Sequence, residues 1–472
     1  MIENKKKLLI IPVEIAQREL TGRLLVCAEA IKHGWSCIVL TRRSLIRNIE
    51  KIPHGVALIK SAHNGDLEYI KLLSNYGHKI VCLDEEGLVQ RNMDELVKYR
   101  SSIESIKLLD SYLTWGEAQR LAFVDEYPKN SDIFVVTGST RADLWQGRYD
   151  YLYKDRVREL KQEYGEYILI PSCFAMYNHF LGFDRAADLV LSVAPGVDQD
   201  GYERELRYVD YIKTAYHAYF ILIKEISENF PDVNIVMKIH PSENPDPWVE
   251  YSKKIDNFFV IESGALIEVI MGCKALIHCN STSSIEAYLY GKPVISYCLD
   301  SKEVDHLLEI TTTVSRHVHS QKNVVEMLFD LIIKQKPREK FTDIEMTDNY
   351  IEQLIFNYKN KINSSKLIFK EIEKLNAKKV DLLVDNIIGD NRKDSWKEGF
   401  ITLISPLITF LRINRFMPAF YKRMIKGSEY GKRKYEGLDI YTIQKEFDLI
   451  SRNESVKYKR VTQCSDDFFL IE

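Results

Sequence analysis

At 472 residues the chain is too long for one ordinary domain and long enough for two with an appendage. Hydrophobic residues make up 45% and charged residues 28%, so a sizeable core is available. The formal net charge of −3 excludes attraction to nucleic acid through overall charge.

The elements alternate from the start. The stretch 8–13 is a short apolar run of the kind a buried parallel strand shows. It is too short for a signal-peptide core. Residues 18–33 then have helical spacing and stop at Gly34. Strands are expected over 36–40, 56–59, 79–83, 112–115 and 133–136, with helices between them. A charged stretch, 151–163, follows, and the rhythm restarts. Strands over 167–171, 235–239, 258–261, 275–278 and 293–297 alternate with helices, the longest over 202–229. This βαβα order argues an α/β fold of two Rossmann-like, doubly wound halves facing a cleft, 1–145 and 160–315. A mostly helical, charged C-terminal extension runs over 320–472.

The eight cysteines form no CxxC pair and no Cys/His zinc spacing. Cys27, Cys37, Cys82, Cys173, Cys273, Cys279 and Cys298 sit in or beside apolar runs, which reads as buried free thiols in a reducing, cytoplasmic compartment. No run of about 18 apolar residues occurs that would span a membrane. Neither half carries a glycine-rich dinucleotide turn or a phosphate-binding P-loop, so nucleotide cofactors bound by those routes are not expected.

Four groups of residues carry candidate chemistry. Lys238-Ile239-His240-Pro241-Ser242-Glu243 comes directly off a strand, and the proline places His240 at the strand's carboxyl end. A histidine there either donates to a phosphate or serves as a satisfied structural residue. Asn280-Ser281-Thr282-Ser283-Ser284 precedes a helix that carries Glu286. Hydroxyls at a positive helix end make an anion site, or simply a cap. Glu286 can reach back to a ribose or to the cap. Asp84-Glu85-Glu86-Gly87 follows a strand of the first half; of its three consecutive carboxylates at least one should face the cleft as a general acid or base, or the run is a solvated acidic turn that caps the next helix. Finally, the run from Thr137 to Asp143, like Glu14, Arg18 and Glu19, suits helix caps or salt bridges as well as function.

Taken together, "IPVEIAQREL", "LDEEGL", "TGSTRADLW", "KIHPSEN" and "CNSTSSIEAYLYGKPV" resemble the bacterial surface carbohydrate biosynthesis proteins. Those are similar to retaining β-Kdo glycosyltransferases of capsule and O-antigen assembly, which have a GT-B-like architecture. The resemblance implies a CMP-activated 2-keto sugar acid as donor and a glycan or lipid-linked glycan as acceptor, with no cofactor and no metal. It implies that His240 and Pro241 contact the CMP phosphate and that Ser281, Ser283 and Ser284 form its phosphate loop. Lys238, Glu243, Asn280, Thr282 and Glu286 complete the nucleotide-binding set. It further implies Glu85 or Glu86 as acid/base and Asp143 as nucleophile of a double displacement. The chain departs from the family in having Gly138-Ser139-Thr140-Arg141 where Gly-Asn-Pro-Arg is usual, and Lys238 where arginine is common. Teichoic-acid-type transfer of a polyol phosphate from a CDP donor, or UDP-sugar epimerisation, are the alternatives.

In the C-terminal extension, an apolar stretch, 400–413, is followed by a basic segment through 436 with interleaved aromatic residues. This reads either as contact with an anionic membrane surface or as a buried helix followed by a solvated face.

Overall fold

The computed structural model describes residues 5–89, 92–182, 199–299, 307–338, 344–359, 362–381, 435 and 438–472. Two sheets organise it. The first contains the parallel strands β1 (Leu8–Val13), β2 (Ser36–Thr41), β3 (Val56–Ile59), β4 (Lys79–Leu83), β5 (Ser111–Thr114) and β6 (Phe134–Val136). The second contains β7 (Tyr167–Pro171), β8 (Asn234–Lys238), β9 (Phe258–Ile261), β10 (Ala275–His278), β11 (Val294–Tyr297) and β12 (Arg316–Val318), all parallel. The first three strands are buried along their whole length, as expected where helices cover both faces of a parallel sheet.

The helices that position the site are α1 (Ala16–Lys32), α2 (Met93–Arg100), α3 (Thr140–Leu144), α4 (Gln199–Asn229), α5 (Leu266–Gly272) and α6 (Ser283–Leu289). The C-terminal region adds α7 (Ile344–Leu354), α8 (Ser364–Lys374) and α9 (Ile440–Asn453). It also ends in a hairpin that the sequence reading did not anticipate: β13 (Val461–Ser465) and β14 (Phe468–Ile471). β14 pairs antiparallel with β2, so the chain's end closes the edge of the first sheet. The resulting orders are β13-β14-β2-β1-β3-β4-β5-β6 and β12-β11-β10-β7-β8-β9. Both α8 and α9 pack on α1, so the C-terminal region returns to the first half of the molecule.

In each sheet the first strand of the unit, β1 or β7, sits between strands that come later in the chain on both sides. The direction of winding reverses there, which opens a crevice at the carboxyl ends of the strands. All cysteines are free, and among them only Cys173 is not fully buried. Among the described residues no helix is long and apolar enough to cross a membrane. The stretch 400–436, read as a membrane-surface contact, lies outside the described residues except for Tyr435.

Candidate functional site

The two sets of strand ends meet at one cleft of about 1100 Å³, counting the part open to solvent. The first half lines it with Arg18 and Thr21 from α1, Glu86 after β4, and Arg141 from α3. The second half contributes Ser172 after β7, Lys238, His240 and Pro241 at β8, Gly264 and Ala265 before α5, and Ser281, Thr282, Ser283 and Glu286 at α6. Tyr153, on the stretch between the halves, completes the wall.

Glu86 is held from two sides. Arg18 Nη1 lies 3.0 Å from one carboxylate oxygen and Arg100 Nη1 donates to the other at 2.9 Å. Arg100, at the end of α2, is itself fixed by two hydrogen bonds to Asp84, at 2.9 and 2.8 Å. Burial alone would raise the Glu86 pKa, but Arg18, Arg100 and Lys60 overrule it and hold the carboxyl well below the usual range. Glu86 therefore meets the cleft as a fixed anion. Arg18 keeps its Nε buried and without a hydrogen-bond partner at the same wall.

His240 stands where the sequence placed it. Its backbone N–H donates to Ser172 Oγ at 2.9 Å, tying the ends of β7 and β8 together. The Ser242 N–H donates to His240 Nδ1 at 3.2 Å. Nδ1 is therefore an acceptor, and the neutral ring carries its proton on Nε2. Burial by the cleft walls, then Arg18 and Lys238, push the ring's pKa down, so the neutral form prevails at pH 7. The ring offers an N–H donor, suited to a phosphate oxygen.

Arg141 reaches across the cleft. Its guanidinium donates to the Glu85 carbonyl, stacks 5.0 Å from the Trp145 ring and lies 3.4 Å from Glu286 of the other half. That pair does not repay its burial. Desolvation lowers the Arg141 pKa and raises Glu286 to about 6 despite their mutual attraction. An anion arriving beside Arg141 would supply the missing compensation.

The hydroxyl loop differs from its sequence reading in one physical respect. Much of its backbone hydrogen bonding is satisfied internally. The Ser281 N–H donates to His278 Nδ1 at 3.1 Å, that of Ser283 to Ser281 Oγ at 3.3 Å, and that of Ser284 to the Ser281 carbonyl at 3.1 Å. Ser283 Oγ also donates to Ser281 Oγ, at 2.8 Å. The loop thus presents hydroxyls to the cleft rather than a row of free amides. His278, buried beneath it, braces the loop through Nδ1 and meets Ser315 Oγ through Nε2 at 2.8 Å.

Several expected site residues lie outside this wall. Glu85 is buried against Arg23 at 2.8 Å. Asp143, read as a nucleophile, is fully buried and taken up by the Ser364 N–H at 2.7 Å, by Arg148 at 3.1 Å and by the Asn357 amide. It anchors the returning C-terminal region to α3 and does not face the cleft, which corrects that assignment. Gly138 belongs to the same joint: it adopts φ +74°, and a Cβ there would strike Asn357 and Ser364. Glu243 accepts from Trp248 Nε1 at 2.8 Å and from the Phe174 N–H at 3.0 Å, a buried brace for the loop after β8. Asn280, at φ 50°, accepts from the Leu308 N–H at 2.8 Å and from Thr311 Oγ1 at 3.0 Å. Ser284 is buried with its Oγ unpartnered and is not part of the wall. Conversely, sequence reasoning left Arg18 and Arg141 open between function and caps or salt bridges, and did not single out Thr21 or Tyr153. Arg18 and Arg141 both follow strands of the first sheet, the signal that could have placed them.

No family model matches the sequence, and no curated protein matches it. Solved structures similar to the model include a UDP-GlcNAc 2-epimerase from Neisseria meningitidis bound to UDP-GlcNAc. It is 14% identical, the match covers 78% of this chain and 100% of that one, and the TM-score is 0.48. The UDP-GlcNAc 2-epimerase of Methanocaldococcus jannaschii, in complex with UDP-GlcNAc and UDP, is 13% identical, with 78% and 99% covered and a TM-score of 0.45. The wall teichoic acid polymerase TagF is 11% identical, with 79% and 90% covered and a TM-score of 0.45.

Proposed function

We propose that this chain is an enzyme acting on a nucleotide-activated sugar, and that its reaction is transfer of the sugar to a glycan or lipid-linked glycan. One observation carries the reading. Donors from both halves, His240 Nε2–H, Lys238, Arg18 and Arg141, converge on a cleft where the burial of Arg141 is left uncompensated. A nucleotide phosphate is an anion of the size and charge such a set takes up. Departure of the nucleotide develops further charge on that phosphate, which His240 and the two arginines stabilise most in the transition state. Glu86, kept ionised, faces the sugar as a nucleophile or as a stabiliser of positive charge at the anomeric carbon. A CMP-activated 2-keto sugar acid is the donor we favour from the sequence resemblance, and cytoplasmic action at the inner membrane surface is the matching location. A neutral His240 whose outward nitrogen is already protonated is a poor base, which weighs against polyol-phosphate transfer through that residue.

Epimerisation has one specific observation in its favour. The cleft receives one carboxylate from each half, Glu86 and Glu286, and Glu286 holds a pKa near 6 that suits proton exchange. Two measurements decide. A thermal-shift screen with CMP, CDP, UDP and GDP should show stabilisation by a cytidine nucleotide, and none by any of the four would end the nucleotide reading. In deuterated buffer, a nucleotide sugar that gains deuterium with no acceptor present would establish epimerisation; nucleotide release only on adding acceptor would establish transfer.

A further inference from the structure

Among the described residues thiols meet in two places. Cys27 and Cys37 touch inside the first half, where the Cys37 thiol lies 3.7 Å from the Cys27 carbonyl and both residues are wholly buried. The other place lies directly behind the cleft. Cys173 follows β7, Cys279 follows β10 and Cys298 follows β11, at the carboxyl ends of neighbouring strands of the second sheet. The Cys173 thiol donates to the Cys279 carbonyl at 2.9 Å, and the Cys279 thiol is in hydrogen-bonding contact with the thiols of both Cys173 and Cys298. Tyr211 of α4 closes the group, its hydroxyl 3.9 Å from Cys279 Sγ. Neighbouring strands lie about 4.8 Å apart and a disulfide joins Cα atoms about 4.4–6.8 Å apart, so the ends of adjacent strands are within bridging range. Access distinguishes this group from the Cys27–Cys37 contact, because Cys173 is the one cysteine that is not fully buried. The group also adjoins the cleft wall on both sides. Cys173 directly follows Ser172, which accepts the His240 N–H, and Cys279 leads through Asn280 into Ser281 of the hydroxyl loop.

We infer that Cys173 and Cys279 form an oxidation site: a hydroperoxide enters at Cys173, and the disulfide that follows loosens the hydroxyl loop of the cleft. With hydrogen peroxide the electrons balance in two steps. The peroxide takes two electrons from the Cys173 sulfur, leaving a sulfenic acid and one water. Cys279 then attacks that sulfur, the S–S bond forms, and the sulfenic oxygen departs with the Cys279 proton as a second water. The contact with Cys173, and burial after it, push the Cys279 thiol up against the pull of Cys298, so Cys279 meets the oxidant only through Cys173. Bridging removes the Cys173 proton from the Cys279 carbonyl, which loses that donor at the root of the loop. The inference does not depend on which ligand the cleft takes.

The test uses the full chain, reduced and then freed of reductant, with hydrogen peroxide as the oxidant. Peptide mass spectrometry after blocking of free thiols should show a Cys173–Cys279 bridge with Cys27 and Cys37 still free, and a thiol reductant should reverse it. Amide exchange over residues 280–284 should rise about fivefold on oxidation, the weight of one hydrogen bond, and fall back on reduction. Cys279→Ser should stop at a Cys173 sulfenic acid that dimedone traps. Cys173→Ser should form neither bridge nor adduct, and peroxide should leave its loop exchange unchanged. Melting temperatures report folding, and Cys173→Ser, at a half-buried position, keeps the comparison if Cys279→Ser does not fold. Absence of the Cys173–Cys279 bridge in the wild type, a Cys27–Cys37 bridge at the same dose, or a bridge that leaves loop exchange unchanged overturns the inference.

Discussion

Glu86 and Asp143 both follow strands of the first sheet, and their surroundings give them opposite roles. Glu86 is ionised and faces the cleft between two arginines, whereas Asp143 is sealed among donors from residues 357 and 364. Glu86→Gln should therefore cut turnover about a hundredfold or more while leaving nucleotide affinity within a few-fold, as steady-state kinetics and calorimetry would show. Asp143→Asn should do the reverse. Its amide would oppose the Ser364 N–H, costing about 2 kcal/mol of stability in denaturant titration and little activity per folded molecule. Glu286 adds a pH signature. Burial raises it from 4.5 to about 6, so the native state binds the proton more tightly than the unfolded chain. Its contribution is greatest below pH 4.5 and is lost as pH rises through 6. Between pH 4.5 and 7.5 the stability difference between wild type and Glu286→Gln should move by about 2 kcal/mol in the variant's favour; a pH-independent difference would contradict the assignment. His240 and Glu286 were legible because the chain itself places them at strand and helix ends. Asp143 was misread because the partners that consume it lie 214 and 221 residues away. Arg18 was undecided for a similar reason, since its partner Glu86 arrives from another strand.

At the scale of elements, apolar runs closed by glycine or proline located the inner strands of both sheets. The elements that escaped were β12 and β13, at sheet edges, and β14, next to β13; they are three to five residues long. β13 shows no clean alternation, with Val461, Thr462 and Gln463 all at least partly exposed, so no periodicity marks it. β14 is different: Phe468, Phe469, Leu470 and Ile471 are all buried, and they pair with β2 through Leu40, Val39, Ile38 and Cys37. A hydrophobic tail of this kind covers an edge that would otherwise expose the unpaired hydrogen-bonding groups of β2. It also fixes the direction from which α9 approaches α1 and brings Glu446 to Thr21. Phe469→Ala should lower stability by about 3 kcal/mol, within the range for emptying a buried aromatic site. If the hairpin were a loosely attached tail, denaturant unfolding would be unchanged.

For the molecule as a whole, each half has an apolar cluster of its own, and a third cluster is shared between them. One contiguous apolar cluster runs from Leu9 and Leu24 in the first half to Leu169 and Leu276 in the second. It passes through Trp145, Tyr149, Tyr153, Leu160 and Tyr164, the residues that join them. The sequence showed two halves and a charged connection at 151–163. It could not show that this connection turns its leucines and tyrosines inward to weld the halves together, because that depends on what each half presents at the joint. An interface this apolar opposes independent opening of the two units. Calorimetry should accordingly show one transition, with calorimetric and van't Hoff enthalpies in agreement. Hydrogen exchange offers the sharper check. Under conditions where exchange reports opening equilibria, the innermost amides of β1 and of β8 should share one opening free energy. Binding a nucleotide at about a hundred times its Kd should raise both by the same amount, about 2.7 kcal/mol, if it bridges the residues of both halves that line the cleft. Two resolved transitions, or protection gained by β8 and not by β1, would mean that the shared core does not couple the halves and that the nucleotide is held by the second half alone.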